Sequence, residues 1–197
     1  MPELNAGYWN NRYEEHSTGW DLGVVSPPLK EYIDQLSDKS IRILIPGCGN
    51  AYEAAYLMEK GFTDITLIDI SHILVSTLQN KFPSENYPAI RILSGDFFLL
   101  DNPYDLILEQ TFFCALHPSM REEYAQKMKE LLTENGKLTG VLFNRSFEGG
   151  PPFGGHEEEY RTLFEKYFSI DIMEPCYNSI APRAGAELFI SLSKKTV

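Results

Sequence analysis

The chain has 197 residues, a length that makes one domain at ~100–200 residues per domain. Hydrophobic residues are 43% and charged residues 23%, which excludes collagen, bulk disorder and a membrane protein; no run reaches the ~18 apolar residues of a span. The net charge of −11 repels phosphate backbones and anionic lipid, so neither nucleic acid nor a membrane is an expected partner. Residues 1–25 lack the basic and apolar regions of a signal peptide. Cys48, Cys114 and Cys176 make neither a C-x-x-C pair nor a disulfide framework, so a reducing cytoplasm is the expected location. A monomer is the expected state.

In chain order, residues 1–40 are aromatic and polar, with a short helix expected over 5–15 and a second from Pro27-Pro28 through Leu36. Ile41–Pro46 is a buried strand that stops at Gly47-Cys48-Gly49-Asn50. Asn50 and Glu53 have the spacing of a capping box for the next helix, which ends at Gly61. Ile65–Asp69 is a second strand and 72–81 a helix. Ala89–Leu93 and Tyr104–Glu109 are the third and fourth strands. Ser119 and Glu122 make a second capping box, opening a helix whose apolar positions Met120, Tyr124, Met128, Leu131 and Leu132 share one face and which ends at Asn135-Gly136. Lys137–Phe143 is a fifth strand. Residues 145–155 hold four glycines and two prolines, so they form a loop with the hinges of a lid. A helix over His156–Lys166 precedes two last strands, Phe168–Met173 and Glu187–Leu192. The alternation predicts an α/β fold with a mostly parallel seven-stranded sheet, helices on both faces and a C-terminal antiparallel hairpin.

In such a sheet, ligands bind at the carboxyl ends of the strands. Gly47 and Gly49 allow close backbone approach there. A dinucleotide fingerprint needs a third glycine where Tyr52 stands, which argues against NAD or FAD. Asp69 ends the second strand 20 residues after Gly49, where a carboxylate accepts from ribose hydroxyls. Asp96 and Phe97 follow the third strand, placed for an adenine, although an aspartate there also caps turns and a phenylalanine also packs cores. Together these residues describe a nucleoside without a diphosphate, which points to S-adenosylmethionine.

The segments Ile45–Gly49, Leu67–Ser71 and Gly95–Phe97 resemble the cofactor motifs of class I S-adenosylmethionine-dependent methyltransferases. Trp9, Trp20–Gly23, Gln110–Arg121 and Gly150–Phe153 narrow the resemblance to the thiopurine S-methyltransferase superfamily, and within it to the halide/thiol methyltransferases of plants. The resemblance covers residues 8 to 190 and departs at His117 and at Phe143-Asn144, on the acceptor side. It implies a Rossmann-like methyltransferase sandwich covered by residues 1–40. It implies cofactor contacts at Trp9, Trp20, Gly47, Cys48, Gly49, Asp69, Ile70, Ser71, Asp96, Phe97, Glu109 and Thr111, and a place for Arg121 at the acceptor pocket.

The implied reaction is methyl transfer to a small soft nucleophile: a thiol, hydrosulfide, thiocyanate or halide. The alternatives are another small acceptor (N, O or Se) and a non-catalytic S-adenosylmethionine-binding module. The catalytic residues expected are Arg121, for an anionic acceptor, and Glu109, beside the transferred methyl. Surface ion pairing of Arg121 and a solvated strand end for Glu109 are the competing structural roles. His117 and His156 are possible bases, Arg183 and Gly185 a possible part of the same pocket, and no cluster has metal-ligand spacing.

Overall fold

Four apolar runs form the centre of the sheet: β1 (Arg42–Pro46), β2 (Asp64–Asp69), β3 (Ile90–Ser94) and β4 (Tyr104–Gln110). The computed structural model describes residues 3–195. Three further strands, β5 (Leu132–Phe143), β6 (Phe168–Pro175) and β7 (Glu187–Lys194), complete the order β3-β2-β1-β4-β5-β7-β6. β1 to β5 pair in parallel, and β7 runs antiparallel to both of its neighbours. The expected hairpin is present, with β7, not β6, beside β5.

The central runs are continuously apolar because both faces are covered. Ile43, Ile45, Leu106 and Leu108 point into one core, with Leu29 and Ile33 of α2 (Pro27–Asp34), Leu57 of α3 (Tyr52–Glu59) and Leu74 and Leu78 of α4 (His72–Lys81). Leu44 and Ile107, one residue out of phase, point into the other core. There they meet Tyr124 and Met128 of α5 (Arg121–Leu131) and Tyr160 and Phe164 of α6 (Glu157–Phe164). Each such side chain contributes ~1.5–3 kcal/mol by leaving water. α1 (Ala6–Glu14) lies outside these layers, against α4.

Both expected capping boxes are absent. Ala51, left-handed at φ 53°, holds the cap position of α3. Asn50 instead donates to Asp21 at 2.5 Å, and Glu53 accepts from the Ser26 amide at 3.0 Å. Before α5, Pro118–Met120 form a 3-10 turn, so Met120 takes the cap position and Ser119 bonds to the His117 ring. The helix end also moves: α5 stops at Leu131 and β5 starts at once. The pairing of β4 with β5 jumps from Tyr104↔Leu132 to Leu106↔Lys137, leaving Thr133–Gly136 as a bulge. Gly136 suits that bulge, because a Cβ would stand 2.9 Å from the Tyr104 carbonyl oxygen.

Gly140 of β5 pairs with Glu109 of β4, and a Cβ there would overlap the Glu109 backbone. Gly140→Ala is expected to cost ~3 kcal/mol or to prevent folding, as overpacking against backbone does. Gly19→Ala, with open space around the new atom, should stay within ~0.5 kcal/mol of wild type. Urea unfolding of the two variants checks this, and equal midpoints would contradict it.

Candidate active site

A cavity of about 880 Å³ opens at the carboxyl ends of β1 to β4, within the size range of small-molecule sites. Its floor is the turn after β1. Gly47 and Gly49 have φ of 55° and 50°, the left-handed region where a side chain is strained. A Cβ on Gly47 would also overlap the Phe112 ring, while the space beside Gly49 is open. The Cys48 amide donates to the Ile68 carbonyl at 3.4 Å, which ties the turn to β2.

Asp69, at the end of β2, lines the cavity and is 8% exposed. Burial pushes its carboxyl up to about 6, against amide donation from Ser71, Gly49 and Ile70. Ile70 lines the cavity and Ser71 does not. The Ser71 hydroxyl accepts from the Leu74 amide at 3.3 Å, capping α4, and donates to Asn10 at 2.8 Å. Ser71 therefore anchors the site from behind. Asp96 lines the cavity and also caps a 3-10 turn by accepting from the Phe98 amide at 2.9 Å. Phe97 packs against Phe98 and Phe112, so it is both core and cavity wall.

Glu109 has no exposed surface and does not line this cavity. Its carboxylate accepts from the amides of Phe112 (2.8 Å) and Phe113 (3.0 Å) and from the Tyr124 hydroxyl (2.6 Å). These bonds curl the chain after β4 and hold Thr111 at φ 61°, an uncommon conformation for a β-branched residue. Gln110, Thr111 and Phe112 are thereby turned to the cavity. Glu109, expected beside the methyl group, is drawn into the core by its three donors.

The N-terminal segment closes the cavity. Trp9, Tyr13 and Trp20 line it and pack edge to face, with Trp20 centred 5.6 Å from Trp9 and 5.8 Å from Tyr13. Asn10, buried under α1, fixes this cover: its amide lies 2.8 Å from His72 Nδ1, and its oxygen accepts from Ser71. Arg183 holds Trp20 from the other end of the chain, donating to its carbonyl at 2.8 Å. Asn10 was not visible to sequence reasoning; a polar residue in a polar helix gives no periodic signal.

On the β5–β7 side the wall is aromatic and cationic. Arg183 lies 5.3 Å from the Phe143 ring, Arg145 4.8 Å from Phe147, and the His117 ring 5.4 Å from Phe153; all six line the cavity. Acidic Asp69 and Asp96 line the β2–β3 side. Cys48 and Cys114 line the cavity, but burial pushes both thiols up, away from the nucleophilic thiolate. Arg121, expected at the acceptor, lies outside the residues that line the cavity. It is 6% exposed, ion-paired with Glu159 and bonded to the Gly154 carbonyl at 2.6 Å. His156 is also outside, beside Ser146.

The residues present fit a nucleoside-bearing methyl donor. The Gly47–Gly49 turn gives close approach, the Asp69 carboxylate stands at the wall, and Gln110 Oε1 is a buried acceptor with no partner among the described residues. The sheet order and this site define a class I methyltransferase. The fold is shared with 1,6-didemethyltoxoflavin-N1-methyltransferase from Burkholderia thailandensis (TM-score 0.69, 18% identity, 100% of this chain and 93% of that one). It is shared too with a TehB-like S-adenosylmethionine-dependent methyltransferase from Corynebacterium glutamicum (TM-score 0.65, 18% identity, 96% and 98%). Residues 4–187 match the family model for thiopurine S-methyltransferase, and the chain belongs to that family. It is 33% identical over 194 residues to probable thiol methyltransferase 2 of Arabidopsis thaliana, covering 95% of this chain and 84% of the relative. It is 26% identical to thiopurine S-methyltransferase of Acinetobacter baylyi over 192 residues, 85% of this chain and 87% of the relative. The protein is an S-adenosylmethionine-dependent methyltransferase.

Burial pushes the Glu109 carboxyl from its ordinary 4.5 up to about 7, although all three of its donors favour the ionised form. Between those pH values the unfolded chain has lost this proton and the folded chain keeps it, so this group's contribution to stability falls as pH rises. Glu109→Gln keeps an acceptor for the amides and removes the slope. The stability of the variant relative to wild type should therefore rise from pH 4.5 to pH 7, by up to ~3 kcal/mol. Urea titrations across this range test it; a constant difference would refute it.

Proposed function

We propose that the protein transfers the methyl group of S-adenosylmethionine to a small soft nucleophile (a thiol, hydrosulfide, thiocyanate or halide) by in-line displacement. The observation that carries this reading is one cavity with two unlike walls: the glycine turn with Asp69 and Asp96, and the aromatic, cationic wall of Phe143, Arg145 and Arg183. Relatives named as thiol, thiocyanate and thiopurine methyltransferases support sulfur as the acceptor atom.

Bound S-adenosylmethionine supplies a methyl group already activated on a sulfonium. Asp69 would take its ribose hydroxyls, Asp96 and Phe97 its adenine, and Gln110 Oε1 its amino group. Trp9, Tyr13 and Trp20 cover the site and exclude water. Aromatic rings beside a cation contribute ~0.5–2 kcal/mol. The remaining task is to orient the acceptor, worth ~7–11 kcal/mol in a well-built site. A thiol, with an ordinary pKa of ~8.5, must also lose its proton to solvent, and the Arg145 guanidinium favours the anion, while Arg183 is ion-paired with Glu187 at 3.4 Å.

The test is an acceptor screen in which each methylated product and S-adenosylhomocysteine are quantified. Hydrosulfide, thiocyanate, an aromatic thiol and iodide are compared with an amine and a phenol. Sulfur or halide acceptors should give equal amounts of methylated product and S-adenosylhomocysteine. Products from the amine or phenol alone would overturn the acceptor class, and binding without any product would make the protein a non-catalytic binder.

A further inference from the structure

We propose that Arg121 and Glu159 form a strap that fixes the acceptor wall of the cavity, with Arg121 acting as a positioning residue that never touches the acceptor. The guanidinium lies between two rings, 5.0 Å from the centre of Phe113 and 5.7 Å from that of Tyr160. One terminal nitrogen meets the Glu159 carboxylate on α6 and the other donates to the Gly154 carbonyl at 2.6 Å. Nε is buried with no partner among the described residues, and Arg121 does not line the cavity.

The strapped segment is the end of the glycine- and proline-rich loop. The Phe153 amide donates to the Cys114 carbonyl at 2.7 Å, and the Gly155 amide to the Arg145 carbonyl at 3.0 Å. Gly154 and Gly155 pass so close to Arg145 and Tyr160 that a Cβ on either would overlap them. Phe153 and Arg145, both in the cavity wall, are thus joined to α5 and α6 through one guanidinium. Glu148–Gly150, at the start of the loop, is exposed and makes none of these bonds.

This inference rests on the acceptor standing beside that wall, and the experiment separates the two ideas. Amide hydrogen exchange of the whole protein is compared for wild type, Arg121→Met, Arg121→Lys and Glu159→Ala. Alongside it are measured S-adenosylmethionine affinity and kcat and KM for thiocyanate and an aromatic thiol. A strap predicts exchange at Phe153 and Gly155 faster by ~10-fold or more in Arg121→Met and Glu159→Ala, the scale of one charge-assisted hydrogen bond, with sheet amides unchanged. Acceptor KM should rise for both variants, cofactor affinity should stay within ~2-fold, and Arg121→Lys should recover part of the loss because it keeps the charge without the fork. An acceptor-binding Arg121 predicts otherwise: Glu159→Ala would leave KM at or below wild type while Arg121→Met raises it. That result, or unchanged exchange at Phe153 and Gly155, overturns the strap. Should Arg121→Met fail to fold, Glu159→Ala carries the same test, since Glu159 is an exposed helix residue. Should no acceptor turn over in wild type, the functional reading fails while the exchange data still decide the strap.

Discussion

A carboxylate sealed from water, that of Glu109, holds the two halves of the site in register. Its three donors are two consecutive backbone amides and the Tyr124 hydroxyl. Each donor left unpaired in the core would cost ~1–3 kcal/mol, so the carboxylate and the turn require one another. The turn carries Phe112, whose ring fills the space that a Cβ on Gly47 would need. The β1 turn and the β4 turn therefore share one contact. Displacing the β4 turn would move Gln110 and Thr111 and uncover the glycine turn together.

The cover over this floor comes from both ends of the chain. α1 is fixed to α4 by Asn10, and the Trp20 segment is fixed to the region before β7 by Arg183. Asp21 adds a third tie, accepting from Asn50 at 2.5 Å and from the Tyr52 hydroxyl at 3.3 Å. Tyr52, which rules out a dinucleotide fingerprint, thus helps to hold the N-terminal segment. Charge of both signs lines the cavity, with Arg145 and Arg183 on the β5–β7 side and Asp69 and Asp96 on the β2–β3 side. A small anion can be held locally by a protein whose overall field repels it.

What was legible in the sequence follows from local physics. Strands buried on both faces write themselves as apolar runs, so β1 to β4 could be read directly. Gly47, Gly49 and Asp69 could be read because a tight turn and a strand-end acid need particular residue types at those points. The capping boxes misled because a left-handed Ala51 and a 3-10 turn at Pro118 displaced the caps, and neither has a local signature. Arg121 and Glu109 were legible as charges near the site but not as to which way they face. The partner of Arg121 lies 38 residues on, and the carbonyl that Arg183 holds lies 163 residues back. Such pairings are set by the packing of α5, α6 and the N-terminal segment, which a residue pattern along the chain does not encode.

The central claim is that the turn after β1, with Asp69 and the tryptophan cover, is a site for a nucleoside-bearing methyl donor. The most direct test is calorimetric titration of the protein with S-adenosylmethionine, S-adenosylhomocysteine and NAD, in wild type and Asp69→Ala. The account predicts one site for each of the first two ligands, weakened by ~1–3 kcal/mol in the variant, and no heat with NAD. Equal affinity of wild type and variant for S-adenosylmethionine, or binding of NAD at the same site, would contradict it.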